Sequence, residues 1–226
     1  MKTLIYGMQS SGASFFSYFM GQNENSVAII DLYNRNLAPS LDCEKDIVLK
    51  CVVTTLYTWE DHRDSFKPDK AVLFLRNPFD NYISLIGKPG WRNENGTVDN
   101  KFRRLNEDFC QREKFDAIVK YEDMALQPET VIESLKALGF NADVSFLNFT
   151  RNEKDMAQFN HDAVPDYCGK PERYYQKGKF GAGRLYIRSG EVLKSQYIEK
   201  RISPAEKDVV LRSCPDVCDY YGGENG

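Results

Sequence analysis

Two groups of residues carry the chemistry this sequence offers. The first is Arg76 with Ser84. The apolar run Val72 to Leu75 stops at an arginine, and a hydroxyl follows eight residues on. A guanidinium presents a rigid fork of N–H donors, and with a hydroxyl nearby it is suited to holding a phosphate. The second is the stretch Tyr6-Gly-Met-Gln-Ser-Ser-Gly-Ala-Ser-Phe15, rich in small residues, with hydroxyls at Ser10, Ser11 and Ser14. Where such a stretch opens a helix, backbone N–H groups and the helix dipole together make an anion site. No Gly-Lys-[Ser/Thr] is present, so this is not a Walker A loop. Taken alone, an ordinary tight turn with a serine cap reads equally well.

The elements that position these groups follow from the apolar pattern. Strands are expected at about residues 3–6, 27–30, 46–53, at the run ending at Arg76, and at about 117–121. Asn77-Pro78 breaks the fourth strand, and Pro78 suits the first turn of a helix whose apolar face is Tyr82, Ile83 and Ile86. Further helices are expected at about 13–21, 58–65, 100–113, 128–138 (stopped by Gly139) and 204–213, the last opened by the capping box Ser203-Pro-Ala-Glu206. Residues 87–99 read as polar loop, and 150–190 show little periodicity. Strands alternating with helices predict an α/β fold: one domain over residues 1–221, a mostly parallel sheet with helices on both faces, and a frayed tail at 222–226. In such sheets ligands bind outside the carboxyl ends of the strands, where Arg76 stands.

The totals narrow the function class. The chain has 226 residues, 30 Lys+Arg against 33 Asp+Glu, and a formal net charge of −3. That balance argues against bulk binding to nucleic acid while allowing a local basic pocket. No apolar run reaches the ~18 residues of a membrane span, so no membrane association is expected. No signal-like segment precedes the first strand, which predicts a cytoplasmic protein. Six cysteines are scattered without paired CxxC spacing, so reduced thiols are the expectation, with Cys214 and Cys218 the pair that could bridge. Two histidines without ligand spacing give no zinc site.

Taken together, the loops resemble the PAPS-dependent sulfotransferases, where PAPS is 3′-phosphoadenosine 5′-phosphosulfate and PAP the bisphosphate left after transfer. Gln9-Ser-Ser-Gly-Ala-Ser-Phe15 is similar to the family's Pro-Lys-Ser-Gly-Thr-Thr-Trp loop, which holds the 5′-phosphosulfate. Arg76-Asn-Pro-Phe-Asp80 with Ser84 matches the family's Arg-Asn-Pro-x-Asp and following Ser, which grip the 3′-phosphate; this is the specific match. Lys120-Tyr-Glu-Asp-Met124 resembles a segment whose Tyr lies near the adenine, and Gln176-Lys-Gly-Lys-Phe-Gly181 is similar to a loop closing over the 3′-phosphate. The resemblance implies a P-loop-NTPase-like sulfotransferase fold and transfer of a sulfuryl group from PAPS to a hydroxyl or amine of a small-molecule or carbohydrate acceptor, with no metal. It implies cofactor contacts from Gln9, Ser10, Ser11, Gly12, Ala13, Ser14, Phe15, Arg76, Ser84, Tyr121, Lys177, Gly178 and Lys179. Each has a plainer alternative: Phe15 and Tyr121 as core, Arg76 bridged to Asp80, Ser84 as an ordinary helix residue, Lys177 to Lys179 as a surface turn.

Two departures bear on catalysis. The family's first loop carries a Lys or Arg where this chain has Ser10, so the cation facing the leaving-group oxygen must come from elsewhere. Lys50 is the candidate, with Gln9 as a neutral donor. The His of the family's Lys-Thr-His is missing after Lys50, leaving His62, or Glu60 and Asp61, as candidate bases. The aromatic side chains Trp59, Trp91, Tyr167, Tyr174 and Tyr175 are candidates for stacking on an acceptor ring. Arg92, Lys101, Arg103 and Arg104 read as a solvated helix face, or less readily as a basic rim. The alternatives are a catalytically degenerate PAP- or PAPS-binding protein and a small-molecule kinase.

Overall fold

Val72, Leu73, Phe74 and Leu75 are all buried, as are Leu4, Ile5 and Tyr6 and the run Ile47 to Cys51. Strands buried on both faces in this way belong inside a parallel sheet covered on both sides. The computed structural model, which describes residues 1–23, 25–29, 37–41, 44–87, 95–147 and 202–222, has this arrangement. Five strands, β1 (Lys2–Gly7), β2 (Ser26–Ile29), β3 (Asp46–Val52), β4 (Lys70–Leu75) and β5 (Ala117–Lys120), form one all-parallel sheet in the order β2-β3-β1-β4-β5.

Alternate residues divide the core in two. Leu4, Tyr6, Leu49, Leu73 and Leu75 face one cluster, while Ile5, Val48, Val72 and Phe74 face the other. Helix α1 (Ala13–Met20) covers the second face with Phe16 and Phe19. Helix α2 (Trp59–Phe66) covers the first through Trp59 and Phe66. Helices α3 (Pro78–Ile86) and α4 (Val98–Cys110) follow on that same face, with Leu85, Phe102, Leu105 and Phe109 in its cluster. After β5 come α5 (Tyr121–Leu126) and α6 (Pro128–Ala137), whose Met124, Ile132 and Leu135 pack on the α1 side. Two C-terminal helices, α7 (Pro204–Ser213) and α8 (Pro215–Tyr220), pack against α4.

The connection after β1 runs toward β2, and the one after β4 runs the other way to β5. The strand order therefore reverses between β1 and β4, the position where open α/β sheets form their ligand crevice. Registers Gly7↔Phe74 and Leu75↔Lys120 bring the carboxyl ends of β1, β4 and β5 to one edge. The segments 8–12, 76–77 and 121 leave the sheet side by side.

Local signals decide the boundaries. Asn77 caps α3 by accepting from the N–H groups of Phe79 and Asp80, with Pro78 at the first helical position. Thr58 and Asp61 form a capping box that starts α2, as Ser203 and Glu206 do for α7. The sequence reading differs in two places, and its expectation of reduced thiols holds for the described cysteines. Tyr121 opens α5 instead of ending β5, because β5 has no further strand to pair with past Lys120. The chain past Ser213 continues into α8, docked by Asn106, whose Oδ1 accepts from the N–H groups of Asp216 and Val217. Cys214 and Cys218 are free thiols, one helical turn apart. Among the described residues no helix is long and apolar enough to cross a membrane.

Candidate functional site

The loop between β1 and α1 is shaped by its backbone. Ser10 (φ 63°) and Gly12 (φ 97°) are left-handed on either side of Ser11. Such alternation turns successive N–H groups to one side, the geometry of an anion-binding nest. Gly12 is also the N-cap of α1, so no side chain caps that helix start. A Cβ there would lie 2.6 Å from Cδ2 of Tyr121, so glycine is required by both conformation and space. Ser11 is buried, and its Oγ accepts from the N–H of Ala13 at 3.3 Å.

Arg76 joins this loop to the second group of residues. Its guanidinium donates to the carbonyl oxygen of Ser10 at 3.0 Å and lies 5.0 Å from the centre of the Tyr121 ring. The Leu75↔Lys120 register makes this contact possible, because Arg76 and Tyr121 are the next residues on neighbouring strands. Arg76 Nε and Asp80 Oδ1 are both buried without a hydrogen-bond partner among the described residues. Burial raises the Asp80 pKa, and the Arg76 charge opposes the rise. Ser84 sits one helical turn beyond Asp80, partly exposed, and its hydroxyl makes no hydrogen bond to a described residue. Glu122 supports Arg76 from behind. It accepts from the N–H of Asn77 at 2.9 Å and from the Tyr221 hydroxyl at 3.1 Å. Burial raises its pKa against those bonds and the Arg76 charge.

Two buried lysines reach the first loop from opposite faces of the sheet. Lys50 lies on β3 beside Ile5, shares the α1 face with Val48, and donates to Ser14 Oγ at 2.8 Å. The contact brings its ammonium to the first helical turn of α1, beside the loop. Lys101 does not belong to the solvated face expected from sequence: it is fully buried, and its Nζ donates to Gln9 Oε1 at 2.8 Å. The pattern contained the signal, since Lys101 stands four and eight residues before Leu105 and Phe109, on the buried stripe of α4. Asn81 is a second residue missed by sequence. Buried in α3, it donates to the Gln9 carbonyl at 2.7 Å.

Other candidates lie elsewhere. His62 is buried on the far side of α2 from solvent, near the rings of Tyr6 and Tyr57. Its Nδ1 accepts from the Ala38 N–H at 3.1 Å, and burial lowers its pKa to about 4. With Nδ1 so engaged, the neutral ring carries its proton on Nε2 and has no free lone pair to act as a base. Glu60 is paired with Lys114, and Asp61 is taken up in the Thr58 capping box. Phe15 is 8% exposed and belongs to the apolar cluster beneath α1. Trp59 is core, 4.4 Å from the Phe115 ring centre. Lys177, Gly178, Lys179, Trp91, Tyr167, Tyr174 and Tyr175 lie outside the described residues.

A mouse sulfotransferase complexed with PAP superposes over 98% of this chain and 88% of its own, with a TM-score of 0.50 and 12% identity. The chain has the sulfotransferase fold. A sulfotransferase from Alicyclobacillus acidocaldarius (14% identity, 73% of this chain and 91% of that one, TM-score 0.41) and a retinol dehydratase complexed with retinol and PAP (12%, 96% and 81%, 0.43) are more distant in shape. No protein-family profile matches the sequence, and no curated protein matches it.

Proposed function

We propose that this chain is a PAPS-dependent sulfotransferase, with residues 1–221 acting as one domain. One observation carries the reading. The two segments that resemble the family's phosphate loops, far apart in sequence, meet at the switch point through the 3.0 Å hydrogen bond from Arg76 to Ser10. Backbone and hydroxyl groups of Ser11, Gly12, Ala13 and Ser14 would hold the 5′-phosphosulfate. Arg76 and Ser84 would hold the 3′-phosphate, the arginine through its guanidinium N–H groups. Tyr121, already against the guanidinium, would flank the adenine, and Lys177 to Lys179 would close over the 3′-phosphate.

PAPS supplies the sulfuryl group as co-substrate. The acceptor oxygen or nitrogen bonds to sulfur, the bond from sulfur to the 5′-phosphate oxygen breaks, the acceptor's proton leaves to a base or water, and PAP departs. Charge builds on the leaving oxygen in such a loose transition state. Lys50, held at Ser14 and almost fully buried, would supply the cation that stabilises it. The acceptor class proposed is a small molecule or carbohydrate bearing a hydroxyl or amine.

A second reading, a PAP- or PAPS-binding protein without turnover, is favoured by one observation: His62, the base candidate, has no free lone pair. Incubation with PAPS and a panel of phenols, alcohols, amines and sugars separates the two. Release of PAP with any acceptor supports the enzyme. Tight PAP binding without release supports the second reading, and binding of ATP in preference to PAP contradicts both.

A further inference from the structure

Gln9 is held at two points by residues that are themselves buried. Asn81 donates to its carbonyl oxygen at 2.7 Å, and Lys101 donates to its side-chain Oε1 at 2.8 Å. A primary amide has one acceptor end and one donor end. With Oε1 committed to an ammonium, the orientation of the amide is fixed and Nε2 is turned away from Lys101. Nε2 donates to no described residue, and it is not among the buried polar atoms sealed without a partner. It is therefore an oriented donor that solvent or a ligand can reach, next in the chain to Ser10, where the loop lacks a cation.

Lys101 adds charge to that donor. It comes from α4 on one side of the sheet, while Lys50 reaches Ser14 from the α1 side. A hydrogen bond from a buried ammonium polarises the amide it binds, and a chain of such bonds strengthens its terminal donor. The loop is thus served at both ends by a lysine acting through a neutral side chain, at Gln9 and at Ser14.

We infer that Lys101 is a positioning residue: it fixes and polarises Gln9 so that Nε2 donates to the 5′-phosphate group of the bound nucleotide. This rests on the reading of the site as a PAP and PAPS site. The oriented amide takes over part of the work of the missing loop cation. Lys101 itself touches no nucleotide.

The test is a calorimetric titration of the full chain and of Lys101→Met with PAP and with adenosine 3′-phosphate, which lacks the 5′ group. The variant is expected to lose about tenfold or more in affinity for PAP, the scale of a charged hydrogen bond, and to bind adenosine 3′-phosphate as the parent does. An unchanged PAP affinity overturns the inference. So does an equal loss for both ligands, because that reports general distortion of the site. If Lys101→Met does not fold, Gln9→Met serves, since it keeps the apolar bulk and removes the donor, with the same pair of outcomes. Failure of the parent chain to bind PAP would instead refute the site reading on which the inference stands.

Discussion

Replacing Gly12 by alanine tests the geometry that unites the two halves of the site. The backbone there is left-handed, at φ 97°, which costs an L side chain about 1–2 kcal/mol. The added Cβ would also lie 2.6 Å from Tyr121 Cδ2 and 3.0 Å from Cε2, so the ring must move. Tyr121 is held under Arg76 and cannot yield freely. Overpacking of this kind costs about 1–3 kcal/mol. Gly12→Ala should therefore lose about 2–5 kcal/mol in urea unfolding. In the Tyr121→Ala background the collision is gone and only the backbone strain of about 1–2 kcal/mol remains. Equal costs in the two backgrounds would mean that Tyr121 does not lie over Gly12. A cost below about 0.5 kcal/mol in either would refute the left-handed turn itself.

The remaining predictions concern charge and capping. Burial holds the folded His62 pKa at about 4, against 6.5 ordinarily, so its contribution to stability is complete above pH 6.5 and falls as the pH drops toward 4. Asp108 behaves oppositely: burial raises its pKa to about 7, so its contribution falls as the pH rises from about 4 to 7. Asp108→Asn removes the opposing slope, and urea midpoints of the variant should rise between pH 4 and 6.5 more steeply than those of the parent; an unchanged profile would contradict the burial assigned to Asp108. With an acceptor identified, Lys50→Met should lower kcat about 100-fold while changing the KM for PAPS much less, and a change confined to KM would remove Lys50 from catalysis. Ser203→Ala should cost about 1 kcal/mol through loss of the α7 capping box, measured by thermal or urea unfolding.

The sheet and most helices were legible because their signals are local. Buried strands such as β4 carry a continuous apolar run, Ala71 to Leu75, and Asn77-Pro78 and Ser203-Pro-Ala-Glu206 mark helix starts by their chemistry. Helix α8 was not visible, because it owes its place to Asn106, far away in sequence. The site was half legible. Arg76 and the first loop announced themselves through residue type and spacing, and Lys50 through its strand. Lys101 looked like one charge among many in Lys101-Phe-Arg-Arg104, although it lies on the apolar stripe of its helix. Its role depends on a partner 92 positions away, which no local pattern records. His62 failed for the converse reason. Its residue type suggested a base, but the backbone N–H of Ala38 takes the lone pair that a base needs.

The central claim is that Arg76 and its helix recognise a 3′-phosphate. Calorimetric titration of the parent chain and of Arg76→Ala with PAP and with adenosine 5′-phosphate tests it most directly. The parent is expected to prefer PAP, and the variant to lose about 1.5–3 kcal/mol of that preference, the worth of a charge-assisted hydrogen bond. A parent that binds the two nucleotides equally, or a variant that keeps the full preference for PAP, would contradict the account.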